Sequence, residues 1–275
     1  MYPNPRPTGE RPLTVQDFRK MRDAGEKVAC LTAYDASFAR LADAAGVEIV
    51  LVGDSLGMVV HGQGTTVGVS NEDIVYHCRA VATGLSRAFL MADMPFLSFA
   101  TRDAAIRSAQ DLMQRGGAKM VKLEGGAIQA DIVEFLTARG VPVCAHLGLQ
   151  PQLIHKLGGF KVQGRDEALA AQMREDARVL EQAGADMLLI ECVPSGLAGD
   201  ITAAAGVPVI GIGAGPATDA QILVMHDILG VSRGRVPRFV KNYLSGRDDI
   251  EAAMRAYVEE VKSGAYPAPE HGFGD

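Results

Sequence analysis

The chain has no cluster of lysine and arginine, no CxxC pair and no HxxxH or HExxH pattern. It also lacks any apolar stretch near the ~20 residues that a membrane span needs. Each gap excludes a class. Without a basic patch, and with a formal net charge of −6 and a pI near 5.6, a nucleic-acid or acidic-membrane partner is not expected. The four cysteines, Cys30, Cys78, Cys144 and Cys192, are dispersed and mostly sit in or beside apolar runs. That is the pattern of a reduced, cytoplasmic protein rather than a disulfide framework or a thiolate metal site. The opening Met1-Tyr-Pro-Asn-Pro-Arg-Pro7 lacks the apolar core of a signal peptide and reads as a tail. No linker, composition break or repeat interrupts the 275 residues.

What is present is a recurring design. Ile49 to Val52 is a short branched apolar run between Gly46 and Gly53, the mark of a strand buried on both faces in a parallel sheet. It ends at Gly53-Asp54-Ser55. Phe89-Leu-Met-Ala-Asp93, Met120-Val-Lys-Leu-Glu124, Val143-Cys-Ala-His146 and Met187-Leu-Leu-Ile-Glu191 repeat the scheme. Five apolar runs thus end in an ionisable residue, which implies one shared polar mouth. Val28 to Thr32 and Val209 to Ile212 add two more strands. Ile222 to Met225 reads as an eighth strand in preference to a helix continuing from Thr218.

Helices are expected from Thr14 to Met21, Ser37 to Ala45, Ser70 to Thr83, Thr101 to Arg115, Ile128 to Arg139 and Asp166 to Ala183. Others follow Ser195 and run over 237–244 and 248–262. The segment from Leu56 to Val69 reads as a glycine-rich loop. The irregular stretch from Leu147 to Arg165 is long enough to be a lid. Strand–helix alternation means α/β with a parallel sheet. Functional groups at the ends of five successive strands favour a closed (β/α)8 barrel over an open sheet with one switch point. A single barrel domain over residues 1–275 is expected, with C-terminal helices and tails at 1–13 and 267–275.

Asp54, Asp93 and Glu124 are hard oxygen donors on three strand ends. Gathered in one mouth they repel one another unless a cation binds, and Mg²⁺ suits a site open to substrate. Alternatively each caps or pairs with the next helix. Lys122, two residues before Glu124, faces the same side of its strand and can neutralise an anionic substrate, or it forms a structural ion pair. His146 is a scaffold residue or a substrate neighbour. Glu191, approached by an apolar run, suits general-base work. Cys192 has no evident histidine partner and is a poor nucleophile. Gly211-Ile-Gly-Ala-Gly215 is a phosphate cradle or simply permits close packing.

Longer motifs sharpen the reading. Leu31-Thr-Ala-Tyr-Asp35, Leu51-Val-Gly-Asp-Ser-Leu-Gly57, Leu90-Met-Ala-Asp-Met-Pro95, Val121-Lys-Leu-Glu-Gly-Gly126, Val141-Pro-Val-Cys-Ala-His-Leu-Gly-Leu149, Gly159-Phe-Lys-Val-Gln-Gly164 and Leu189-Ile-Glu-Cys-Val-Pro194 resemble the ketopantoate hydroxymethyltransferase family. The likeness runs from about Thr14 to Tyr266, departing at Thr65-Thr-Val-Gly-Val69. It implies a barrel enzyme that moves a hydroxymethyl group from methylenetetrahydrofolate to 3-methyl-2-oxobutanoate with Mg²⁺, as a homo-oligomer and often a decamer. It also implies metal ligation by Asp54, Asp93 and Glu124, and oxo-acid contacts from Asp54, Ser55, Asp93 and Lys122. His146 would lie near the substrate, with Glu191 as base. Two rivals remain open: a Mg²⁺ oxo-acid carbon–carbon lyase, whose Lys-Lys-Cys-Gly-His-like loop is missing here, and a non-catalytic oxo-acid sensor.

Overall fold

The structure is a computed structural model that describes residues 11–232 and 236–274. In chain order it runs α1 (Val15–Asp23), β1 (Val28–Thr32), α2 (Ala36–Ala44), β2 (Ile49–Val52), α3 (Leu56–Val59), α4 (Asn71–Ala82) and β3 (Phe89–Asp93). Then come α5 (Arg102–Gln110), β4 (Met120–Glu124), α6 (Ala130–Thr137), β5 (Val143–Gly148), α7 (Ile154–Leu157), α8 (Glu167–Gln182) and β6 (Met187–Glu191). The last are α9 (Ser195–Ala204), β7 (Val209–Ile212), β8 (Ala220–Leu223), α10 (Met225–Ile228) and α11 (Ile250–Ser263).

The eight strands pair in parallel, each with its successor, and β8 pairs back with β1 to close the barrel. Closure follows from the apolar strands: none has a polar face to leave in water, so all need cover on both sides. Two cores result. Inside the barrel, Cys30, Ile49, Leu51, Met91, Met120, Cys144, Met187, Leu189 and Ile210 fill the lumen. Alternate residues such as Leu31, Val50, Leu90, Val121 and Leu188 face outward under the helices. At the amino-terminal end of the strands, α1 stops the barrel by setting Phe18 edge-on against Phe89, 5.3 Å between centroids. Helices begin on polar caps: Asp35 accepts from the amides of Ser37 and Phe38, and Ser70 and Asp73 form a reciprocal box. The β1–β8 seam has its own fastening, because the buried Tyr257 hydroxyl lies 2.8 Å from the Cys30 carbonyl and 2.9 Å from that of Gln221.

The structure departs from the expectations at several places. The eighth strand starts two residues earlier, at Ala220, and Met225 already belongs to α10. Residues 237–244 form turns rather than a helix, since the Asn242 carboxamide accepts from the amides of Leu244 and Ser245 and bends the chain. The helix after Thr101 loosens into a π-helical turn over Asp111–Arg115. The glycine-rich loop opens with a single helical turn, α3. The stretch expected to be a lid contains a 3₁₀ turn at Pro151–Leu153 and α7. Residues 1–10 of the expected leading tail lie outside the described residues, while Leu13 is buried. Near the other end, Pro269–His271 forms a 3₁₀ turn and the Phe273 carbonyl accepts from the Ser195 amide. Among the described residues, no helix is long and apolar enough to cross a membrane.

Candidate active site

Strand register builds the site. β3 pairs with β4 so that Asp93 lies beside Lys122, and β4 pairs with β5 so that Glu124 lies beside His146. β5 pairs with β6 so that Gly148 lies beside Glu191. Asp54 and Ser55 follow β2 directly. All seven anticipated residues, Asp54, Ser55, Asp93, Lys122, Glu124, His146 and Glu191, line one cavity of about 920 Å³ at the carboxyl ends of the strands.

Their contacts form a chain. The Lys122 ammonium donates to Asp93 Oδ1 at 2.5 Å, and the Asp54 amide donates to Asp93 Oδ2 at 2.9 Å. Both Asp93 oxygens are therefore engaged. Asp54 Oδ2 accepts from the Gln152 side-chain amide at 2.9 Å, while the Gln152 backbone N–H donates to Glu124 Oε2 at 3.0 Å. Glu124 Oε1 is buried without a hydrogen-bond partner. It lies 3.6 Å from His146 Nδ1, and His146 Nε2 lies 3.3 Å from Glu191 Oε2. Neither histidine nitrogen makes a well-aligned hydrogen bond, so both contacts are chiefly electrostatic. Ser55 Oγ and the Tyr34 hydroxyl share a hydrogen bond of 2.7 Å.

Burial and crowding set the charges. Burial first, then repulsion from Asp93 and Glu124, pushes the Asp54 carboxyl up to about 8. Burial pulls the Lys122 ammonium down, but Asp93, Glu124 and Asp54 more than offset it and the lysine stays charged. Burial and the Lys122 charge likewise oppose a cationic His146, yet Glu124 and Glu191 prevail and push it up to about 9. The Glu191 side chain, at 17% exposure, is the most open of these groups. Its backbone is held closely: the Leu149 amide donates to the Glu191 carbonyl at 2.8 Å. A Cβ at Gly148 would stand 2.2 Å from that carbonyl oxygen, so only glycine fits beside the carboxylate strand end. Cys192, next in sequence, takes a left-handed φ of 49°.

The donor set fits a hard divalent cation. Three carboxylates surround one buried ammonium, one of them, Asp54, is pushed up by burial and by its two carboxylate neighbours, and Glu124 Oε1 has no donor. Among the described residues, no three His, Cys, Asp or Glu close around a common metal position. The glycines of 211–215 are closely packed, with Gly211 against Thr218, Gly213 against Phe239 and Gly215 against Ser195. Gln152 and Tyr34 complete the site, and neither was singled out from the sequence. A glutamine carries no periodicity or motif signal, whereas Tyr34 lay within a recognised motif.

Residues 12–269 match a family model described as ketopantoate hydroxymethyltransferase. A 3-methyl-2-oxobutanoate hydroxymethyltransferase of Alkalilimnicola ehrlichii is 55% identical over 274 residues, 100% of this chain and 99% of that one. A second, from Hahella chejuensis, is 56% identical over 261 residues, 95% and 98% of the two chains. Among solved structures, phosphonopyruvate hydrolase superposes with a TM-score of 0.61 at 17% identity, covering 79% of this chain and 83% of that one. The 2,3-dimethylmalate lyase structure gives 0.56 at 17% identity, covering 77% and 81%. At those identities the structural likeness is one of fold.

Proposed function

The chain belongs to the ketopantoate hydroxymethyltransferase family, and from that membership we infer that it transfers a hydroxymethyl group to 3-methyl-2-oxobutanoate, giving 2-dehydropantoate for pantothenate synthesis. Methylenetetrahydrofolate is the proposed donor and Mg²⁺ the proposed cofactor. The observation that carries the reading is the register that seats Asp93 beside Lys122 and Glu124 beside His146, with Glu191 next to the histidine in the same cavity.

We assign Asp54, Asp93 and Glu124 to the metal. Bound there with the oxo acid, the cation would polarise the keto group and acidify the neighbouring carbon. The remaining roles belong to side chains. Lys122, fixed by Asp93, offsets negative charge on the oxo acid. Ser55, held by Tyr34, supplies a hydroxyl to the same substrate. Glu191 accepts the proton from the third carbon, and the resulting enolate forms the new carbon–carbon bond to the one-carbon unit carried by the folate; water supplies the hydroxyl oxygen on that carbon as its bond to the folate nitrogen breaks and tetrahydrofolate leaves. His146 steadies Glu191 from behind as a cationic neighbour. The cavity is larger than a five-carbon acid needs, and Phe160, Phe239 and Phe273 in its lining suit the flat rings of a folate.

The barrel is proposed to work as one domain, in a reducing cytoplasmic setting consistent with four free, buried cysteines. It is further proposed to assemble as a homo-oligomer, which light scattering would refute by finding a stable species of 29.1 kDa. The activity itself is tested by incubating the protein with 3-methyl-2-oxobutanoate, methylenetetrahydrofolate and Mg²⁺ and following 2-dehydropantoate. Cleavage of an oxo acid without folate would favour the lyase alternative, and binding without turnover the sensor.

A further inference from the structure

We propose that Gln152 is a positioning residue that anchors the segment after β5 to Asp54 and Glu124 and holds those two carboxylates in the arrangement that receives the cation. The proposal rests on the reading above that these carboxylates bind a divalent metal. Gln152 is 4% exposed and sits in the 3₁₀ turn Pro151–Leu153, where the chain leaves β5 to cross the barrel mouth. Both hydrogens of its side-chain amide are used, one on Asp54 Oδ2 at 2.9 Å and one on the Met94 carbonyl at 3.0 Å. Its backbone N–H takes Glu124 Oε2 at 3.0 Å. One residue thereby ties the ends of β2, β3 and β4 to a single crossing segment, and satisfies one oxygen of each of two crowded carboxylates.

The residue type matters. A neutral amide donates to a carboxylate without cancelling its charge, so the pair stays attractive to a cation. A lysine here would neutralise the site, and an apolar side chain would leave Asp54 Oδ2 and the Met94 carbonyl without donors. Outer partners of this kind typically change metal affinity ~10–100-fold when removed. The anchoring also has a reach. The chain from Gln152 runs through α7, Gly158 and Gly159, both with positive φ, and past Phe160 and Lys161 on the cavity wall. Its next fixed point is Gln163, whose amide donates to the Cys192 carbonyl at 2.9 Å. Gln152 and Gln163 thus bracket the stretch that covers the mouth.

Gln152→Met keeps volume and removes both donors; Gln152→Asn keeps the amide but withdraws it by one methylene. Calorimetric titration of each with Mg²⁺ alone should give affinity ~10–100-fold below wild type, while melting in EDTA stays cooperative, lowered by the lost donors to Asp54 and the Met94 carbonyl. KM for the oxo acid should rise by a larger factor than kcat falls. Trypsin should cut faster at Lys156 and Lys161 in both variants. Should Gln152→Met fail to fold, Gln152→Asn decides. Wild-type Mg²⁺ affinity in the folded variants, or unchanged tryptic cleavage, would overturn the inference while leaving the metal reading intact. Wild type that itself binds no Mg²⁺ would overturn both.

Discussion

Replacing Asp54 with asparagine is expected to stabilise the metal-free protein while destroying its response to Mg²⁺. The folded site holds the Asp54 carboxyl near 8, against 3.8 for the free side chain. At pH 7 the unfolded chain therefore carries this group ionised, and the folded chain carries it largely protonated. Keeping that proton some three units above the free value costs about 4 kcal/mol at most, at ~1.4 kcal/mol per unit. Asparagine needs no proton, and its carbonyl can still accept from Gln152, but its own amide must be desolvated. We expect about half the bound, ~2 kcal/mol, or a rise of ~5 °C in Tm. The sign with pH is fixed by the direction of the shift. The folded value lies above the unfolded one, so the wild type loses stability as pH rises from about 4 to about 8. The advantage of Asp54→Asn should be small near pH 4, grow through neutrality and level off above pH 8. Melting both proteins in EDTA at pH 5, 7 and 8.5 reads this directly, and Mg²⁺ should then raise the wild-type Tm alone. A variant that melts below wild type at pH 8.5, or a gap that does not change with pH, would show that Asp54 is held by structural contacts and not strained by its neighbours.

Glu191→Gln keeps size and polarity but cannot accept a proton. Exchange of the third-carbon hydrogen of 3-methyl-2-oxobutanoate in deuterated water with Mg²⁺ and no folate should fall ~10²–10⁴-fold, whereas wild-type exchange with failed product formation would withdraw the base assignment. Lys122→Met strands Asp93 as a buried charge and should cost ~3–5 kcal/mol in urea unfolding; adding Asp93→Asn should recover most of it, and no recovery would sink the pairing argument. Tyr257→Phe removes the hydroxyl between the Cys30 and Gln221 carbonyls and should cost ~1–3 kcal/mol with kcat unchanged. A kcat that falls in step with stability would mean that the seam also shapes the mouth.

How much of this was legible beforehand follows from where the information lies. β1, β2 and β7 match their expected bounds because a branched apolar run flanked by glycine or polar residues leaves little choice. β3 to β6 continue one to three residues past the last apolar residue of each run, Ala92, Leu123, Ala145 and Ile190, taking in Asp93, Glu124, His146 and Glu191. Charged residues look like strand stops in one dimension, but in the barrel each finds a partner on the next strand and the ladder continues. β8 begins two residues before the expected Ile222, because Ala220-Gln221 carries no branched apolar run. Gln221 is nonetheless buried, its amide donating to the Gly215 carbonyl and Thr218. The turn at 237–244 depends on one asparagine carboxamide, and Gln152 on a tertiary position no local pattern encodes. The gathering of the ionisable groups could be anticipated from spacing, whereas their pairing could not: that needed the register.

The seam between β1 and β8 also governs when the fold can be completed as the chain emerges from the ribosome. β1 is among the first elements made, yet one of its two edges has no partner until β8 appears. The Tyr257 that spans that joint stands 227 residues from Cys30. Lys262, on the same helix, supplies a cation for the buried Glu48 at the foot of β2. A nascent chain therefore carries an exposed strand edge through most of its synthesis, with Glu48 held by the Ala29 amide and Arg87 but still without Lys262. Such edges recruit other strands, so pauses in translation or truncations before α11 should show up as aggregation of the unfinished protein, not as a smaller functional barrel.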